Sequence, residues 1–183
     1  FDGCWEGYLA LCESLGAKPN LSILDAPTTT GDLFLDLGSK LTPPVSEPYV
    51  VKHFLTGATR VYANELIAYK ERENAHDAPG LHVGSHIVFS NATTATDPRT
   101  IVLFGDSYSE YRTHMLTGLL AETFASTHFI WNGAIDWRYV DRVKADIVVT
   151  EMAERFHNLV PTDTLDVEQF ASQRMAAFLA QRA

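Results

Sequence analysis

Basic residues are scarce in this chain. Fourteen Lys and Arg stand against 23 Asp and Glu, for a formal net charge of −9, and the cations form no stripe. Neutralising a phosphate backbone needs such a stripe, so nucleic acid is not expected as a partner. Long apolar runs are also lacking. None approaches the roughly 20 residues that span a bilayer, and no transmembrane segment is expected. Cysteine is nearly absent. Cys4 and Cys12 fall on one expected helix, about 12 Å apart along its axis, which is too far for a disulfide and leaves both as small core residues. The compartment therefore stays open between cytoplasm and periplasm. No charged stretch precedes an apolar run at the start, so no signal peptide is visible. The chain opens on Phe1, almost inside a helical pattern, and reads as a fragment or processed product of something longer.

What is present is an ordinary globular composition. With 46% apolar residues in 183, the chain can fill the core of a single domain spanning residues 1–183. Residues 3–15 suit a helix, with Trp5, Tyr8 and Cys12 on its stripe and Gly16 as its stop. Residues 21–24 read as extended. Thr30 reads as the N-cap of a short helix through Leu37, ended by Gly38. Between about 45 and 98 the pattern turns β-rich, with expected strands at 49–55, 60–62 and 82–90, as in an antiparallel insertion or a set of hairpins. From residue 101 onward, strands at 101–104, 128–131 and 146–150 alternate with helices at 108–124, 137–143 and 167–181. That series predicts an α/β fold with a central parallel sheet covered by helices.

The stretch Thr100-Ile101-Val102-Leu103-Phe104-Gly105-Asp106-Ser107-Tyr108-Ser109 carries the most chemistry. A buried strand broken by Gly-Asp-Ser puts Ser107 at the carboxyl edge of the sheet, where open α/β folds bind ligands. A nucleophile there can meet N–H donors for a developing oxyanion. The bland alternative is that Asp106 or Ser107 only caps the next helix. The G-x-S-x-G elbow is absent. A serine needs a base, and seven histidines compete. His114 falls two helical turns on, in a solvent-facing position. His53, His76, His82 and His86 lie in the β-rich part without metal-ligand spacing, so no metal and no cofactor are expected. His128 opens a strand. His157 follows the last strand at the same sheet edge as Ser107.

The Gly-Asp-Ser turn resembles block I of the SGNH (GDSL-type) hydrolases. The resemblance implies a flavodoxin-like three-layer fold, Ser107 as nucleophile and its own N–H in the oxyanion hole. Glu154-x-x-His157 is a near-match to that family's Asp-x-x-His, which makes His157 the base and Glu154 its orienting acid. A closer resemblance joins four pieces: Trp5-Glu6-Gly7-Tyr8 with Leu11-Cys12-Glu13-Ser14-Leu15-Gly16; Gly31-Asp32-Leu33; Gly105-Asp106-Ser107-Tyr108-Ser109; and Asp146-Ile147-Val148-Val149 with Glu154-Arg155-Phe156. Together they are similar to the SGNH-like acetyltransferases related to alginate O-acetyltransferases. In that family an Asp-x-His pair lies upstream of the serine, before a helix like the one opening this chain, which implies a base before residue 1.

Asn132 ends a strand at the active edge and can add an oxyanion N–H, or Asn132-Gly133 is a plain turn. Gly105, Asp106, Tyr108, Asn132 and Arg155 are the candidate oxyanion and substrate-binding residues, with Tyr111 and Arg112 also near a bound sugar. Arg155 can instead pair with Glu151 or Glu154. The expected activity is serine-dependent acetyl transfer to or from hydroxyls of a bacterial polysaccharide, as O-acetyltransferase or acetylesterase. The alternative is a non-catalytic module that binds carbohydrate or docks protein partners in polysaccharide assembly. A nucleotide-binding flavodoxin-like domain is disfavoured, because no Gly-rich loop wraps a phosphate.

Overall fold

The computed structural model of the chain describes residues 2–33, 40–75, 78, 80–156, 160 and 162–182. Helix α1 (Asp2–Leu15) buries Trp5, Tyr8 and Cys12, three positions at helical spacing. Gly16 ends it at φ +61, a conformation glycine adopts without strain. Strands β1 (Thr28–Leu33) and β2 (Glu47–Lys52) pair antiparallel in a small sheet of their own. Strand β3 (Thr59–Ala63), helix α2 (Glu65–Arg72) and strand β4 (His86–Ser90) follow. The chain then runs β5 (Asp97–Gly105), α3 (Leu116–Ala121), β6 (Phe124–Trp131), α4 (Trp137–Val143), β7 (Ile147–Thr150) and α5 (Val167–Ala180).

The main sheet has the order β3-β4-β6-β5-β7. Strands β6, β5 and β7 are parallel, while β3 and β4 extend them antiparallel. Ile101 and Leu103 of β5 pack under α1 and α3, and Val102 and Phe104 pack under α4 on the opposite face. All four are fully buried. A strand covered on both faces reads as a continuous apolar run, and that is why Ile101–Phe104 does not alternate. Cutting any of the four to Ala costs about 2–5 kcal/mol. From β5 the chain crosses through α3 to β6 on one side, then returns through α4 to β7 on the other. The strand order thus reverses at β5, and the crevice outside its carboxyl end is the natural ligand site.

Four expectations are corrected. The helix from Thr30 does not form within the described residues: Thr28, Thr29 and Thr30 pair with Lys52, Val51 and Val50, as β-branched residues favour. Its remainder, with Leu37 and Gly38, lies outside the described residues. Residues 21–24 belong to a 3-10 turn, Leu21–Asp25, whose Asn20 side chain accepts the Ser22 N–H. The β-rich segment is only partly an insertion, because β3 and β4 complete the main sheet and α2, capped by Asn64, lies between them. Finally, the helix at 108–124 shrinks to the six residues of α3, and 107–115 form a loop. The Ser109 carbonyl accepts both the N–H and the hydroxyl of Thr117 (3.1 and 2.8 Å), folding that loop back onto α3. Gly118 is required there, since a Cβ would lie 1.8 Å from the Thr113 carbonyl oxygen.

Candidate active site

Strand β5 carries Gly105 to the sheet edge, and the turn beyond it is tied down group by group. The Asp106 N–H donates to Glu151 Oε2 (3.1 Å), and so does Ser109 Oγ (2.8 Å). The Asp106 carboxylate accepts the Tyr108 N–H at Oδ1 (2.9 Å) and the Ala153 N–H at Oδ2 (2.8 Å). The Asp106 carbonyl accepts the N–H groups of Ser109 and Glu110 (3.3 and 3.0 Å). A Cβ at Gly105 would meet Ser109 Cβ at 3.0 Å and Glu151 Oε2 at 3.1 Å, so glycine is what lets these two side chains close over the turn.

Ser107 is the exception. It is half-buried, and among the described residues neither its N–H nor its Oγ has a hydrogen-bond partner. Burial of Glu151 pushes its carboxyl above the usual carboxylate range, and the charge of Asp106 adds to that, against the stabilising N–H and hydroxyl it accepts.

A cleft of about 370 Å³ opens at this edge, lined by Gly105, Asp106, Trp131, Asn132, Gly133 and Met152 among others. Asn132 Oδ1 accepts the Ala134 N–H (2.9 Å), which leaves Nδ2 without an acceptor among the described residues. Gly133 is in close quarters: a Cβ there would meet the Met152 methyl at 2.5 Å. The His82 ring packs against Trp131, one of the cleft's lining residues, with centroids 5.0 Å apart.

The structure brings Gly105, Asp106 and Asn132 to this cleft, with the Ser107 turn beside it. Tyr108 is 58% exposed. Glu154 is exposed on a 3-10 turn, Glu154–Phe156, whose segment is held to the serine turn through Ala153 and Asp106. His157 and the Arg155 side chain lie outside the described residues, as does His76. His114 sits in the 107–115 loop and not on a helix; burial pulls its pKa below the ordinary histidine value. His53 pairs with Thr29 (2.9 Å). His86 and His128 are buried against Tyr139. Glu151 and Ser109 were not anticipated. The available signal was an acidic residue one position past a parallel strand adjacent to the serine strand.

The layers, the reversal at β5 and the serine turn define an SGNH-like α/β fold. Two solved structures of PatB1 from Bacillus cereus are similar to it. The one with a sulfonyl adduct is 17% identical, TM-score 0.54, over 84% of this chain and 56% of that one. The other is 16% identical, TM-score 0.53, over 85% and 59%. This chain thus spans less than two thirds of the length of the PatB1 chains. The likeness is one of fold and does not single out the alginate-related proteins. No protein-family model matches the chain, and no curated protein does.

Proposed function

We propose that this chain carries the nucleophile of an acyl-handling enzyme that moves acetyl groups to or from hydroxyls of a bacterial polysaccharide. Ser107 Oγ attacks the acetyl carbonyl, the donor's C–O bond breaks, and the serine proton passes through a histidine to the departing alkoxide. A sugar hydroxyl or water then attacks the acetyl-serine and releases Ser107. The Ser107 N–H and Asn132 Nδ2 donate to the oxyanion. Tyr108 and Arg155 contact the sugar, while Gly105 and Asp106 shape the turn. The observation that carries this reading is the contrast within one turn: Asp106 and Ser109 have their donors committed, and among the described residues Ser107 has neither of its own engaged. Similarity of fold to PatB1, one of whose structures carries a sulfonyl adduct, supports it.

The base is His157, oriented by Glu154. The competing base is a histidine supplied from before Phe1, and the position of α1 is compatible with it: Cys4 lies within electrostatic reach of Glu151 and against the Leu116 backbone. Exposure to p-nitrophenyl acetate, followed by intact-mass analysis, tests the reading in this chain and in one extended upstream. Acetylation of Ser107 is expected. A drop of about 10³-fold in His157→Ala assigns the base to this chain, and an unchanged rate assigns it upstream. No adduct on Ser107 in either protein, with glycan binding retained, would establish the non-catalytic alternative.

A further inference from the structure

Glu151 is the first residue beyond β7, and its backbone is fixed to the serine strand. Thr150 pairs with Phe104, and the Glu151 N–H donates to the Phe104 carbonyl at 2.9 Å. From that anchor the side chain crosses to the turn after β5, where one oxygen, Oε2, takes both the Asp106 N–H and the Ser109 hydroxyl. The return tie runs the other way: the Asp106 carboxylate accepts the Ala153 N–H from the Glu151 segment and the Tyr108 N–H from the turn. Positions 106, 108 and 109, on both sides of Ser107, are therefore tied through these two carboxylates.

Stability does not account for this pair. Among the described residues, only uncharged donors reach the two carboxylates, three N–H groups and one hydroxyl. The titratable groups facing Glu151 are the Asp106 carboxylate across the turn and the Cys4 thiol from α1, and burial adds to the cost of its charge. A glutamine there keeps an acceptor without that cost, and the buried apolar clusters close without Glu151 in any case. What an ionised carboxylate secures is the shape of the turn. Charge-assisted hydrogen bonds are shorter and stronger than neutral ones, and displacing a reacting group by about 1 Å costs about 10²-fold in rate.

Resting on the acyl-transfer reading above, we infer that Glu151 is a positioning residue of the reaction: its ionised carboxylate, by holding the Asp106 N–H and the Ser109 hydroxyl on one oxygen, sets where Ser107 stands, and protonation loosens that hold.

Burial and the Asp106 charge lift the Glu151 carboxyl above the usual range, so it takes up a proton at milder acidity than an exposed glutamate. Glu151→Gln fixes the uncharged state at every pH. Acetylation of Ser107 by p-nitrophenyl acetate, read by intact mass in this chain and in one extended upstream, should be about tenfold slower in the variant at about pH 7. The ratio of the two rates should narrow toward unity as pH falls to about 5. Protonation of the histidine base acts on both proteins and cancels from the ratio. Its midpoint should coincide with the titration of the Glu151 carboxyl carbon, followed by carbon NMR in the unreacted chain. Ser109→Ala removes one donor that stabilises the carboxylate, so it should move that titration, and with it the acid loss of rate, to higher pH. Glu168→Gln, the same change on an exposed face of α5, should leave the rate unaltered throughout. A ratio that stays constant with pH, or a midpoint that departs from the carboxyl titration, would overturn the role and leave Ser107 acetylation standing. Absence of any adduct on Ser107 in all these proteins is the separate result that removes the acyl-transfer reading, and the part of Glu151 in it as well.

Discussion

Among the described residues, two places bring a serine together with histidine, carboxylate or phenol, and they differ in what is left over. Under α4, Ser126 Oγ lies 3.0 Å from His128 Nε2, His128 Nδ1 lies 2.6 Å from Tyr139 Oη, and Tyr139 Oη lies 2.8 Å from His86 Nε2. By distance alone, Ser126–His128 is the better nucleophile–base pair. Yet each link of this chain is satisfied, and the imidazoles are 4% and 8% exposed. Burial pulls His86 down to about 3, helped by His128, and pulls His128 down to about 4, so both are neutral near pH 7. At the β5 turn the neighbours are equally committed, but among the described residues the Ser107 hydroxyl and N–H have no partner, and they stand beside a cleft. A satisfied polar network specifies a core, and unspent donors at a sheet edge mark a reacting site.

Substitution at the two serines should break this comparison most sharply. Ser107→Ala is expected to lower acyl-adduct formation by at least about 10³-fold, whereas Ser126→Ala should leave the rate within about twofold, as read by intact mass. Acid should act on the other region. Because both folded pKa values lie below the ordinary 6.5, the unfolded chain binds protons first as pH falls. Stability present above about 6.5 is therefore lost toward pH 4, by about 2 kcal/mol per histidine at pH 5, measurable as a falling urea midpoint. Tyr139→Phe removes the shared hydroxyl and leaves two buried imidazoles short of a partner. It should cost about 1–3 kcal/mol at pH 7 without slowing Ser107. Smallest is Glu151→Gln, which keeps an acceptor but weakens the hold on Asp106 and Ser109. A loss of about tenfold in adduct formation (1.4 kcal/mol), with little change in the thermal midpoint, would sharpen the view that Glu151 positions the turn.

The parallel half of the fold was legible because its strands are short apolar runs separated by clear helical periodicity: α4 was expected at residues 137–143, as found, and α5 to within one residue. The loop at 107–115 was not legible. Its residues have ordinary helix propensity, and what unwinds them is tertiary: Glu151 holding Asp106 and Ser109, and Thr117 turning back to the Ser109 carbonyl. The same holds for β3 and β4, whose pairing with β6 is invisible locally. At the site, sequence position put Gly105, Ser107 and Asn132 at the carboxyl edge of the sheet, which is where the fold carries them. It could not show that Asp106 spends its carboxylate as a clamp between two loops, nor that Glu151 is the other half of that clamp.

The central claim is that Ser107, freed by its neighbours' commitments, is the residue that takes the acyl group. Acid-quenched acetylation with p-nitrophenyl acetate, followed by peptide mapping of the whole chain, tests it most directly. The account predicts one acetyl group, located on Ser107. An acetyl group on Ser126 or Ser109 with Ser107 unmodified would contradict it.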